Sequence, residues 1–172
     1  MIFYSGFSLL NDRPFFESFC ENNEYTVAGF SYGAINAARY VSQSKQRIDT
    51  LQLFSPAFFQ TKSDSFKRLQ LAGFSKSPQG YLERFLESCF APCAVQEVEH
   101  DWYANVEQLR ELLYYEWTNA LMESIVAKGI RIDVFLGLED RVIDVQGARD
   151  FFLPFATVTS IRTGNHFLQE CK

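Results

Sequence analysis

The chain has 172 residues, 47% of them hydrophobic, and a formal net charge of −5. That length buries one real core but is too short for two ordinary domains, and no apolar run approaches the ~20 residues of a membrane span. The acid excess argues against nucleic acid as a general partner. The N-terminus has neither a basic region nor a long apolar stretch, so export is not expected. Cys20, Cys89, Cys93 and Cys171 show no zinc spacing and no disulfide density, and read as reduced thiols of a cytoplasmic protein.

In chain order, residues 1–5 (MIFYS) read as a strand running directly into Gly6-Phe7. A helix is expected over Arg13 to Glu21. A second strand at 25–29 leads into Gly29-Phe30-Ser31-Tyr32-Gly33 and a helix start rich in small residues, Ala34, Ala37 and Ala38. Strand, Gly-x-Ser-x-Gly turn and helix in immediate succession are what a nucleophile elbow requires. Ser31 would sit at the tip of a strained turn with its hydroxyl above the sheet. Gly29 and Gly33 would flank it because a β-carbon at either would clash. The helix N-terminus would point its free N–H groups at the reaction centre.

A third strand is expected at 50–54 and a long insertion over about 56–127. Aromatic residues crowd the insertion's first half: Phe58, Phe59, Phe66, Phe74, Tyr81, Phe85 and Phe90. They suggest an apolar acyl slot, or simply the insertion's own core. Its second half carries Val106, Leu109, Leu113, Trp117, Leu121 and Ile125 at helical spacings. Charge is uneven here. Lys62, Lys67, Arg68, Lys76 and Arg84 outweigh Asp64 and Glu83, whereas acids dominate from Glu87 to Glu116. A basic strip on an acidic protein suits an acidic macromolecular partner, against the plainer reading of a solvated helix face.

Strands at 131–137 and 155–162 complete the pattern. The first opens into Leu138-Glu139-Asp140, the second into Thr163-Gly164-Asn165-His166-Phe167. A nucleophilic serine needs a base and the base an orienter, and only two histidines exist. His166 lies straight after a late strand, whereas His100 sits in the acidic stretch Glu97 to Asp101 and reads as a solvated surface residue. Asp140 is preferred as orienter over Glu139, with Asp144 third. Serine, then acid, then histidine is also the chain order found in the class of fold that carries such elbows. Backbone N–H groups of Tyr32 and Phe7 are the candidate oxyanion donors.

These pieces together resemble the α/β-hydrolase family over the core at 1–60 and 128–170, with Gly-Phe-Ser-Tyr-Gly, Gly-Leu-Glu-Asp and Asn-His-Phe as motifs. The resemblance implies one domain with a minimal α/β-hydrolase fold. It would have about five mostly parallel strands flanked by helices, a core at 1–55 and 128–172, and a helical cap insertion. Two departures stand out: the chain begins on the strand that precedes the oxyanion loop, and Ser5-Gly6 replaces the family's His-Gly. With its small size and basic cap, the chain resembles the pimeloyl-[acyl-carrier protein] methyl ester esterases of bacterial biotin synthesis, especially the short Helicobacter-type form. That resemblance implies a cytoplasmic serine carboxylesterase without metal or organic cofactor, expected to be a monomer. It implies Ser31 as nucleophile, His166 as base and acid, and Asp140 as orienter. Lys62, Lys67, Arg68, Lys76 and Arg84 would contact an acidic acyl-carrier protein. A thioesterase or general short-chain carboxylesterase is the alternative, and a non-enzymatic binding module of the same fold a further one.

Overall fold

The structure is a computed structural model that describes residues 1–101 and 103–171. Five strands, β1 (Ile2–Tyr4), β2 (Thr26–Phe30), β3 (Thr50–Phe54), β4 (Arg131–Gly137) and β5 (Thr157–Ile161), form one parallel sheet in chain order. All five residues of β2 and of β3 are buried, as expected for central parallel strands covered on both faces. Alternation then sorts their side chains. Val27, Leu51 and Leu53 join one hydrophobic cluster, and Ala28, Phe30 and Phe54 join the cluster on the opposite face.

Helix α1 (Tyr32–Gln43) packs on the first face, with Ala34, Ala37 and Ala38 fully buried, so the small residues do bring helix and sheet close together. The opposite face is covered differently from the sequence expectation. In place of a helix from Arg13 to Glu21 there is one 3-10 turn, Arg13–Phe16. Phe16 is fully buried between the rings of Phe30 and Phe54, 4.7 and 4.8 Å away. Burying a phenylalanine is worth about 1.5–3 kcal/mol, more than the few tenths per residue of helix propensity forgone. Beyond the turn, Gln52 on β3 captures the backbone. Its amide donates to the Phe19 carbonyl (3.1 Å), and its oxygen accepts the Glu21 N–H (2.8 Å).

Between β3 and β4 lie α2 (Asp64–Lys76), α3 (Pro78–Phe90), α4 (Val106–Tyr114) and α5 (Asn119–Val126), and α6 (Val145–Phe152) joins β4 to β5. The helical periodicity over 106–125 is thus realised as two helices. Trp117 breaks the run: its N–H donates to the Gln60 side chain and its ring N–H to the Ala57 carbonyl, both 2.8 Å. Asn105 caps α4 in a capping box with Gln108, and Thr118 caps α5.

The cysteine expectation is corrected. Cys93 and Cys171 form a disulfide, leaving Cys20 and Cys89 free. Their separation of 78 residues concealed the pairing, which the fold creates by laying the C-terminal segment against the stretch after α3. Disulfides are rare in reducing cytosol, so the cytoplasmic expectation loses the support it drew from four thiols. Among the described residues no helix is long and apolar enough to cross a membrane.

Candidate active site

Ser31 stands between β2 and α1 with φ 52° and ψ −112°, a conformation costly to a residue with a side chain, by about 1–3 kcal/mol. Two glycines permit it. A β-carbon at Gly29 would lie 2.3 Å from the Gly33 carbonyl oxygen, and one at Gly33 would lie 2.0 Å from the Tyr4 carbonyl oxygen. The turn is therefore pressed both against itself and against the end of β1, which supplies the physical reason for both glycines.

The loop after β5 brings His166 over the serine. His166 Nε2 is 3.0 Å from Ser31 Oγ, and His166 Nδ1 is 2.6 Å from Asp140 Oδ2. The other Asp140 oxygen accepts N–H bonds from Val142 (2.7 Å) and Ile143 (3.3 Å), which fixes the carboxylate's orientation. Both members of the His166–Asp140 pair have wholly buried side chains, and Ser31 is 2% exposed. Glu139, one residue earlier, faces solvent. Asp144 caps α6 by accepting the Gly147 N–H; its carboxyl is held below the ordinary range by the Thr61 hydroxyl and then that same N–H.

Several supports of this arrangement were not legible in the sequence. Asn165 anchors the histidine loop, donating to the Phe90 carbonyl (2.8 Å) and accepting from the N–H groups of Phe167 and Gln169. The His166 N–H itself donates to the Cys89 carbonyl (3.2 Å). The end of α3 thus holds the loop that carries the imidazole. Asp12 is fully buried and accepts the Gly6 N–H at 2.7 Å, immediately before Phe7. Burial pushes its carboxyl above the ordinary range, against hydrogen bonds from Ser5 and Gly6 that lower it. An Asp six residues beyond a strand-end glycine was the available signal, though loop acids are common.

Phe7 and Tyr32 border one small cleft of about 210 Å³, with their rings edge to face 6.4 Å apart. The acidic stretch beside His100 closes over the Phe7 loop. Leu10 N–H donates to the Glu99 carbonyl and Asp101 N–H to the Ser8 carbonyl, and Leu9 bridges His100 in antiparallel fashion. His100 is consequently half-buried, which corrects its reading as a solvated surface residue. Tyr32 Oη donates to Glu111 on α4 (2.5 Å), and Arg39 of α1 donates to the same carboxylate. Burial and then this bond push the Tyr32 phenol up to about 12.

A larger cavity of about 420 Å³ opens between α2, α3 and α4 and reaches Val142 in the acid loop. Of the insertion's aromatic residues, Phe59, Phe66, Tyr81 and Phe85 line it. Phe58 packs on Phe151 and Phe152, Phe90 stacks on Phe167, and Phe74 lies against Phe7, so these three serve the core. Among the basic residues, Arg68, Lys76 and Arg84 are exposed and Lys62 is half-exposed. Lys67 is only 7% exposed, with Nζ 4.9 Å from the centre of the Tyr114 ring.

No protein-family profile and no curated protein sequence matches the chain. Solved structures do. A hydrolase from Oleispira antarctica superposes with TM-score 0.64 at 13% identity, over 83% of this chain and 58% of its own. A bromoperoxidase from Bacillus anthracis gives 0.62 at 17%, over 83% and 60%. Naproxen esterase from Bacillus subtilis gives 0.58 at 17%, over 83% and 53%. The chain spans little more than half the length of these neighbours. Its five parallel strands, elbow turn and flanking helices are those of the α/β-hydrolase fold.

Proposed function

We propose that the protein is a serine carboxylesterase that hydrolyses the methyl ester of pimeloyl-[acyl-carrier protein], giving the free acid and methanol for biotin synthesis. The observation that carries the serine-hydrolase reading is the buried relay of Ser31, His166 and Asp140, with contacts of 3.0 and 2.6 Å. In this reading Ser31 Oγ attacks the ester carbonyl while His166 Nε2 takes its proton, and Asp140 holds the imidazole in the productive tautomer. The amides of Phe7 and Tyr32 stabilise the developing oxyanion. Support for those donors is that neither amide hydrogen is taken by a protein acceptor among the described residues. His166 then protonates the departing methanol, and a water activated by the same nitrogen releases the acid.

The carrier-protein assignment is supported by the basic residues of α2 and α3 on a protein of net charge −5. Such fields steer encounter with an acidic partner. Arg68, Lys76 and Arg84 are exposed on these helices and Lys62, just before α2, is half-exposed, whereas Lys67 is 7% exposed with Nζ against the Tyr114 ring.

Ser31→Ala is expected to keep the fold and lose ester hydrolysis by at least about a thousandfold, and to lose covalent labelling by a fluorophosphonate. A fully active variant would reject the mechanism. The fold neighbours named as esterases favour a second, broader reading, a general short-chain carboxylesterase. Rates on carrier-linked methyl esters, carrier thioesters and free methyl esters separate the two. So does restoration of growth without biotin in a strain that lacks its own demethylating enzyme.

A further inference from the structure

The 420 Å³ cavity has two features that a plain acyl slot does not need. Arg84, from α3, and Arg141, the residue after Asp140, both border it, while no acidic residue does. Neither guanidinium meets a carboxylate within the described residues, whereas Arg39, Arg47, Arg110 and Arg131 each do. Arg13, Arg68, Arg149 and Arg162 also lack such a partner, but none of them borders this cavity. The rest of the lining is largely the rings of Phe59, Phe66, Tyr81 and Phe85 and aliphatic side chains of α2 and α4, with Gln70 and Ser88 as its uncharged polar groups. Its size falls within the roughly 300–1,000 Å³ typical of small-molecule sites.

Two arginines from different elements thus border one apolar cavity. Both are solvent-exposed, so each charge stays hydrated, and positive charge without a carboxylate partner at the mouth of an apolar cavity raises the local concentration of anions. Guanidinium forks match the planar or tetrahedral oxygens of carboxylate and phosphate.

We infer that this cavity binds an acyl or alkyl chain bearing an oxyanion, with Arg84 and Arg141 holding the anion and the rings taking the chain. The inference rests on the esterase reading for its substrate but not for its binding site. It makes Arg141, next in sequence to Asp140, a specificity residue that favours an anion-bearing ester. The anion has two possible sources. One is the phosphate of a carrier's prosthetic arm, as the carrier-linked methyl ester would present. The other is a carboxylate at the far end of the acyl chain of a free half-ester, as the general carboxylesterase reading would have it.

Titration calorimetry on Ser31→Ala protein with octyl phosphate, octanoate and octanol tests it. At least one anion should bind about five- to tenfold tighter than octanol, as charge-assisted contacts at a partly exposed site give. The Arg84→Gln/Arg141→Gln double variant should lose that advantage while octanol binding stays within about twofold. Preference for octyl phosphate points to the prosthetic arm, and preference for octanoate to the chain's own end. Equal binding of all three, or an advantage surviving in the double variant, overturns the inference. Fluorophosphonate labelling of the wild-type protein is read in parallel. Labelling without anion preference leaves the esterase reading standing alone; anion preference without labelling leaves the site and removes the esterase.

Discussion

A β-carbon on Gly137 would lie 2.2 Å from the carbonyl oxygen of Asn165, so the loop that presents His166 crosses the end of β4 where only glycine fits. The obstacle is backbone, which cannot swing aside as a flexible side chain could. Gly137→Ala should therefore displace the loop. An overpacked contact of this kind costs about 1–3 kcal/mol, or a fall in Tm of about 2–12 °C for a chain of this size. A shift of about 1 Å in the imidazole should lower kcat by roughly a hundredfold. Thermal melts and ester turnover on the same preparation check both, and unchanged turnover would mean the loop tolerates the intrusion.

Asp12 holds the Gly6 amide from beneath the Phe7 loop. Removing the acceptor with Asp12→Ala leaves a buried N–H unpaired, a penalty of about 1–3 kcal/mol, and frees the segment that carries the Phe7 amide. Turnover should fall about ten- to a hundredfold, mainly in kcat, because an oxyanion contact acts on the transition state. Asp12→Asn keeps an oxygen for Gly6 and should recover most of the loss. Equal damage from both variants would assign Asp12 to folding alone.

Glu111 ties α4 to α1 through Tyr32 and Arg39. Its carboxyl is held below its ordinary value of 4.5 by the Tyr32 hydroxyl and then by Arg39. A depressed carboxylate stabilises the fold at pH values above its unfolded-state pKa, and that contribution disappears as pH falls through the depressed value. The Tm gap between wild type and Glu111→Gln should accordingly be present at pH 7 and close in the acid range below about 4.5. With Glu111 and Arg39 side chains 38% and 39% exposed, solvent screening keeps the effect at or below about 1 kcal/mol. A gap constant from pH 7 to pH 3 would contradict the ion-pair account.

The Cys93–Cys171 bond closes a loop of 78 residues that contains the elements from α4 to β5. Alkylation of the denatured, unreduced protein should modify two thiols, Cys20 and Cys89, with four modified only after reduction. Reduction should lower stability by up to roughly 4 kcal/mol in the chain-entropy picture, read as a lower denaturant midpoint. Four alkylated thiols without reductant would dispose of the bond.

The five strands were legible to within two residues: β2 and β3 as the short, continuous apolar runs that buried parallel strands write, and the exposed β5 through its β-branched residues. The elbow was legible too, since the clash distances at Gly29 and Gly33 leave no other residue type. Less visible was anything that depends on how remote segments meet. The run from Val106 to Ile125 carries an unbroken helical period, yet Trp117 abandons it to reach Ala57. Nothing local to Arg13–Glu21 announces that Phe16 will be drawn into the sheet and end the helix after one turn.

Residue type and short-range spacing by themselves determined the central strands and the serine turn, because each is imposed by constraints within a few neighbouring residues; Asp140 and His166 were candidates through their places after the two late strands and the scarcity of histidine. Tertiary structure alone decided that His166 meets both Ser31 and Asp140, that Asp12 lies under Gly6, that Arg141 joins Arg84 at one cavity, and that Cys93 finds Cys171. Those outcomes follow from packing between segments far apart in the chain, where burial and hydrogen-bond satisfaction outweigh any local preference.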